Sequence, residues 1–169
     1  RALRRVRDRG VPFQVGFDRR FDPAFGALAA TVHAGDIGRP EAYRAFSADP
    51  ALPRRAYHGA SGGLFLDFLI HDLDTARFVM GEVRRVHAVG RVLTEPWIGE
   101  NGDVDTAVVT LEFASGALGV IQAAWRAAHG HDLRVEAFGS HGKVVAEDPH
   151  RTGARRYDAA GVHRDHVAT

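Results

Sequence analysis

Asp67, His71 and Asp74 stand at i, i+4 and i+7 in the run Gly62-Gly63-Leu64-Phe65-Leu66-Asp67-Phe68-Leu69-Ile70-His71-Asp72-Leu73-Asp74. On a helix that spacing puts two carboxylates and an imidazole on one stripe. A neutral imidazole suits removal of a hydroxyl proton, and a carboxylate one turn away fixes its tautomer and supports the charge that develops. His71 is then the candidate base and Asp67 its orienting partner. The plain alternative for His71 is a core histidine satisfied by a neighbour. Asp67 resists that alternative, because a carboxylate inside Leu66-Asp67-Phe68 is costly to bury unless paired. Asp74 is either a solvated helix position or an acceptor for ligand hydroxyls, and Asp72 reads as a structural carboxylate on another face.

The helix that must carry these groups runs from Leu64 to about Met80 and is ended by Gly81. Gly62-Gly63 at its entry is either a flexible start or a place where missing side chains let a ligand approach the first amides. Ahead of it, Phe21-Asp22-Pro23 opens a helix over 24–34, stopped by Gly35, and 41–48 alternates as a strand. Residues 49–63 read as a long loop rich in Pro, Gly and Arg, a length that tends to be functional. After Gly81 the chain is nearly all strand: 83–92, 105–113, 118–125, 133–139 and 143–147. Ala114-Ser115-Gly116-Ala117 makes antiparallel neighbours of the second and third. Helices followed by closely spaced strands predict an α+β fold, an open and mainly antiparallel sheet with helices on one face.

The two ends read differently. Residues 2–9 form a helix closed by Gly10 and followed by a strand at 12–17, half of an alternating α/β unit whose first strand lies upstream. The last residues, from His163 on, are polar and carry no terminating element.

Composition narrows the function classes. With 22 Lys and Arg against 21 Asp and Glu, the net charge of +1 gives no electrostatic reason to expect nucleic acid or an anionic membrane. The basic cluster Arg1, Arg4, Arg5, Arg7 and Arg9 is either an exposed helix face or a phosphate patch. The absence of cysteine rules out disulfides and thiolate chemistry, and a cytoplasmic protein is the simplest reading. No apolar run approaches the roughly 20 residues that cross a bilayer. His129-x-His131, Asp103-x-Asp105 and His163-x-x-His166 each offer two ligands where a closed metal site needs three or four, so no metal is expected.

Four motifs, in order, carry a resemblance: Val15-Gly16-Phe17-Asp18-Arg19-Arg20-Phe21-Asp22-Pro23; the Gly62 to Asp74 helix; Gly102-Asp103-Val104-Asp105-Thr106-Ala107; and Asp132-x-Arg134-Val135-Glu136-x-Phe138-Gly139-Ser140-x-Gly142. Over roughly residues 11–147 the chain resembles the glucose-fructose oxidoreductase and inositol dehydrogenase family, and within it the inositol 2-dehydrogenases. The resemblance implies a two-domain enzyme, with a Rossmann domain for NAD or NADP and an α+β domain whose open sheet mediates homo-oligomers, a dimer or a tetramer. Residues 1–17 then correspond to the last helix and strand of the cofactor domain, and 18–169 to the second domain, truncated at its end. No G-x-G-x-x-G occurs, and the family's catalytic lysine belongs upstream, so the chain alone is expected neither to bind the cofactor tightly nor to turn over.

The family's Asp-x-x-x-His pair falls on Asp67 and His71, and the implied reaction is oxidation of a secondary hydroxyl of a cyclic polyol or sugar. Asp74, Arg19, His129 and His131 are candidate substrate contacts, and Gly62 and Gly63 candidate cofactor contacts. An ion pair at the domain junction is the other reading of Arg19 and Arg20. Where the inositol-type pattern has tyrosines around a glycine, this chain has His129-Gly130-His131-Asp132. A domain of the same fold that only binds or assembles is the alternative function.

Overall fold

The sheet is built from strands whose side chains alternate between a dry face and a wet one. In β3 (Thr106–Phe113), β4 (Leu118–Ala124) and β5 (Asp132–Gly139) every second residue is buried, including Val109, Leu111, Ile121, Val135 and Ala137. Two helices cover that face. Helix α2 (Pro23–His33) presents Phe25, Leu28 and Val32, and α4 (Leu69–Met80) presents Leu69, Ala76 and Val79, to one continuous core. Leu28, Leu69 and Ile121 are wholly buried, and each such side chain stabilises the fold by about 1.5–3 kcal/mol.

The computed structural model describes the backbone of residues 2–147, 154–158 and 161–165, and the side chains of 3–147. Arg1 and His166, named above in the basic cluster and in one metal-like spacing, lie outside the described residues. The remaining elements are α1 (Ala2–Arg9), β1 (Pro40–Ala48), α3 (Arg55–Ser61), β2 (Val83–Arg91), α5 (Pro96–Glu100), β6 (Gly142–Glu147), β7 (Ala154–Asp158) and β8 (Gly161–Asp165). Eight strands form one open sheet in the order β2-β3-β4-β1-β5-β6-β7-β8. The β1–β4 pair is parallel and every other pair is antiparallel. The fold is therefore α+β, with a mainly antiparallel sheet and helices on one face.

Asp22 caps α2: its Oδ1 accepts from the N–H of Ala24 at 2.8 Å and of Phe25 at 3.2 Å, with Pro23 in the first turn. The hairpin at Ser115-Gly116 pairs Glu112 with Leu118 and Leu111 with Gly119, as the turn residues require.

Four expectations are corrected. Residues 12–17 form no strand: Phe13 and Val15 are exposed, and no chain among the described residues lies alongside to supply ladder hydrogen bonds. Residues 49–63 are not all loop, because α3 occupies 55–61. The long helix is not uniform: it opens with a wide turn over Leu64–Phe68, in which the Leu69 N–H donates to the Leu64 carbonyl five residues back. The polar C-terminal stretch holds the hairpin β7–β8 at the sheet edge, where strand pairing rather than apolar patterning specifies it.

Candidate functional site

A cleft of about 690 Å³ opens where the short turn Asp18–Phe21, the segment after β1, the wide turn and the ends of β4 and β5 converge. Its floor is apolar, with Phe68, Trp125 and Leu133. Its polar wall holds Asp67, His71, Arg19, Asp49, Tyr57 and His131.

Gly63 explains why the wall takes this form. Its backbone sits at φ 76, ψ −169, a combination open to glycine, and it breaks the chain direction so that the wide turn starts afresh at Leu64. Turns of this kind recur at functional sites. Here the extra residue per turn places Asp67 on the cleft wall without stacking it directly on His71.

Asp67 and His71 both open into the cleft, and no hydrogen bond joins them. The Asp67 Oδ1 accepts from the Tyr57 hydroxyl at 2.9 Å. That bond to a carboxylate holds the Tyr57 phenol above its ordinary pKa. The His71 Nδ1 lies 3.5 Å from the Asp18 Oδ1, and its ring meets the edge of Phe17 at 6.2 Å.

Arg19 reaches the same wall, pinned from behind. Its Nη1 donates to Asp72 Oδ1 at 2.6 Å, and Asp72, wholly buried, also accepts from the Ser47 hydroxyl at 2.6 Å. Asp72 is thus the structural carboxylate expected, and Arg19 combines the ion pair with a place in the cleft. Across from it, Asp49 faces His131, with 3.7 Å between Oδ1 and Nε2. Burial pushes the Asp49 carboxyl above the ordinary range; His131 and Arg19 pull it down, and Asp67 pushes it up.

Asp74 is not brought to the cleft. Beyond Phe68 the helix returns to α geometry, and Asp74 turns under the Asp18–Phe21 segment, where Arg20 takes both of its oxygens. His129 also lies outside the lining; it is an exposed side chain whose Nε2 sits 2.9 Å from Asp132 Oδ2. Gly62 and Gly63 face away from the cleft toward Asp103. The space that a Cβ on Gly63 would need is filled by the Asp103 carboxylate, whose Oδ2 accepts from the Leu64 N–H at 3.0 Å. The first amide of the turn is therefore taken by the chain's own acid.

Sequence reasoning missed Asp49 and Tyr57, both in the stretch read as loop. Helix-forming residues between Pro53 and the Gly62-Gly63 stop were the available signal for α3. Among the described residues no group of three or more His, Asp or Glu is placed to hold a metal ion. No helix among them is long and apolar enough to cross a membrane.

Comparison with known proteins agrees with this architecture. Residues 25–145 match the GFO/IDH/MocA C-terminal domain. The chain is 47% identical over 162 residues to a myo-inositol 2-dehydrogenase of Thermotoga maritima, covering 95% of this chain and 48% of that protein. It is 42% identical over 144 residues to a scyllo-inositol 2-dehydrogenase (NAD(+)) of Bacillus subtilis, covering 85% and 42%. The crystal structure of a myo-inositol dehydrogenase from Corynebacterium glutamicum superposes with a TM-score of 0.77 at 38% identity, covering 89% of this chain and 45% of that one. The chain thus spans less than half the length of these relatives. With residues 25–145 matched to its C-terminal domain, the chain belongs to the GFO/IDH/MocA family.

Proposed function

We propose that this chain is the substrate-binding, proton-accepting part of an NAD(P)-dependent oxidoreductase that oxidises a secondary hydroxyl of a cyclic polyol, an inositol first among them. One observation carries the proposal: Asp67 and His71 open into one cleft beside Arg19, Asp49 and His131, so hydrogen-bond acceptors and donors together line a space of about 690 Å³. A ring bearing a hydroxyl on each carbon asks for both kinds of partner, since each hydroxyl both donates and accepts. The inositol names of the relatives fit that chemistry.

The first amides of the wide turn do not fit the dinucleotide. Gly63 and the Leu64 amide face the Asp103 carboxylate, which would repel a diphosphate. Gly62 and Gly63 are therefore dropped as cofactor contacts, and the cofactor is assigned to residues 1–17 together with sequence preceding them in the whole protein. NAD or NADP bound there would supply the acceptor for the hydride that leaves the carbinol carbon. The reaction is assigned to the cytoplasm, where free NAD and NADP are at hand.

His71 accepts the hydroxyl proton as the carbon–hydrogen bond breaks, leaving a ketone. The second Asp67 oxygen is available to the imidazole or to a neighbouring hydroxyl. Arg19, held by Asp72, and His131, beside Asp49, orient the ring through their N–H groups.

The test is reduction of NAD by the whole protein with myo-inositol, scyllo-inositol and an acyclic polyol. Cyclic substrates are expected to support turnover. Equal or greater turnover with the acyclic one would defeat the ring assignment.

The open face of the sheet supports a homo-oligomer, as a dimer or a tetramer. Val108, Leu118 and Phe138 are exposed on it beside a depression of about 480 Å³ lined by Arg44, Phe46 and Glu136. Phe138→Glu is expected to lower the mass in sedimentation; an unchanged mass would remove this face from the assembly.

A further inference from the structure

Helix α3 is tied to the acid-bearing turn at two points. At the first, Asp103 lies between them: its Oδ2 accepts from the Leu64 N–H at 3.0 Å and packs 2.8 Å from His58 Nε2, an approach that makes no hydrogen bond. His58 is 3% exposed and meets the rings of Trp97 and Trp125 edge-on, with centroids at 5.2 and 6.2 Å. An imidazole enclosed in this way cannot swing without displacing an indole, so α3 is fixed against the turn. At the second point the next residue, Tyr57, donates its hydroxyl to Asp67 Oδ1 at 2.9 Å.

The Tyr57 side chain is 54% exposed, so water competes for its hydroxyl. The neighbouring His58 anchor keeps that hydroxyl on Asp67. A carboxylate on a cleft wall rotates about its own axis unless one oxygen is held, and holding Oδ1 leaves Oδ2 as the acceptor that a ligand meets.

Resting on the proposed dehydrogenase, the geometry points to Tyr57 as the positioning residue of Asp67: it holds one carboxylate oxygen and aims the other into the cleft, with His58 as its anchor. The phenol ionises well above neutrality even unperturbed, and Asp67 raises it further, so it stays a donor throughout the neutral range.

The test is a double-mutant cycle in the whole protein with Tyr57→Phe and Asp67→Asn. Phe keeps the ring and removes only the donor. Tyr57→Phe is expected to lower kcat by about tenfold with KM within about twofold, and to add less than about twofold in the Asp67→Asn background. Losses that multiply, or a change confined to KM, would overturn the assignment. A second readout needs no turnover. In an ultraviolet pH titration, the tyrosine ionisation missing from Tyr57→Phe is expected to move down toward the ordinary tyrosine range in Asp67→Asn, because Asp67 is the charged group facing the phenol. If it stays in place, the contact is absent in solution and the inference fails. Wild-type protein that oxidises no polyol yet shows the shift would defeat the dehydrogenase proposal and leave the contact standing.

Discussion

Arg20 and Asp74 meet through two parallel hydrogen bonds, Nε to Oδ2 at 2.8 Å and Nη2 to Oδ1 at 2.7 Å. The Asp74 side chain is 5% exposed, and the guanidinium also lies 5.2 Å from the centre of the Phe78 ring. Through this clamp the Asp18–Phe21 turn is held on α4, and with it the two residues, Asp18 and Arg19, that this turn sends to the cleft.

Arg20→Ala is therefore expected to destabilise the fold. It strands a buried carboxylate, and with the guanidinium partly in water the loss is about 1–3 kcal/mol. Urea denaturation at neutral pH measures it, and an unchanged midpoint would show that the clamp contributes nothing.

Asp105 makes stability depend on acid. Burial alone raises its carboxyl, but the N–H groups of Leu93 and Thr94 and the hydroxyls of Thr94 and Thr106 outweigh burial and hold it below its ordinary value of 3.8. A group whose pKa is lower in the folded state adds stability above its unfolded value and loses it as pH falls through the folded one. The unfolding free energy of the parent should thus drop more steeply below about pH 4 than that of Asp105→Asn. Parallel acid limbs in a denaturation series would contradict this.

Gly63→Ala is expected to cost about 1–3 kcal/mol. The substitution meets both the φ of 76 and the Asp103 carboxylate that occupies the Cβ position. Gly81→Ala is the control, since its φ is also positive but open space surrounds it. Thermal melting compares them, and equal losses would mean that the contact with Asp103 adds nothing to the backbone strain.

Where chemistry follows from local spacing, the sequence was readable. Asp22 caps its helix and the Ser115-Gly116 turn makes the hairpin, while Asp67 and His71 line one cleft without the contact that their spacing suggests. Several of the misses share one physical cause, contacts made far along the chain. Asp74 is drawn to Arg20, 54 residues away, and the Gly63 side of the turn is filled by Asp103, 39 residues from the amide it accepts. Helix α3 has only seven residues, too few to persist alone, and forms because His58 packs on Trp97 and Trp125. No periodicity in β1 announces a parallel partner more than 70 residues downstream in β4.

The most direct test of the central claim is the rate of inositol oxidation by the whole protein with His71→Ala. Loss of the base that takes the hydroxyl proton is expected to lower kcat by about 10²-fold or more, with the fold retained by thermal melting. A rate within about threefold of the parent would show that the proton leaves by another route and that this cleft is not where the chemistry happens.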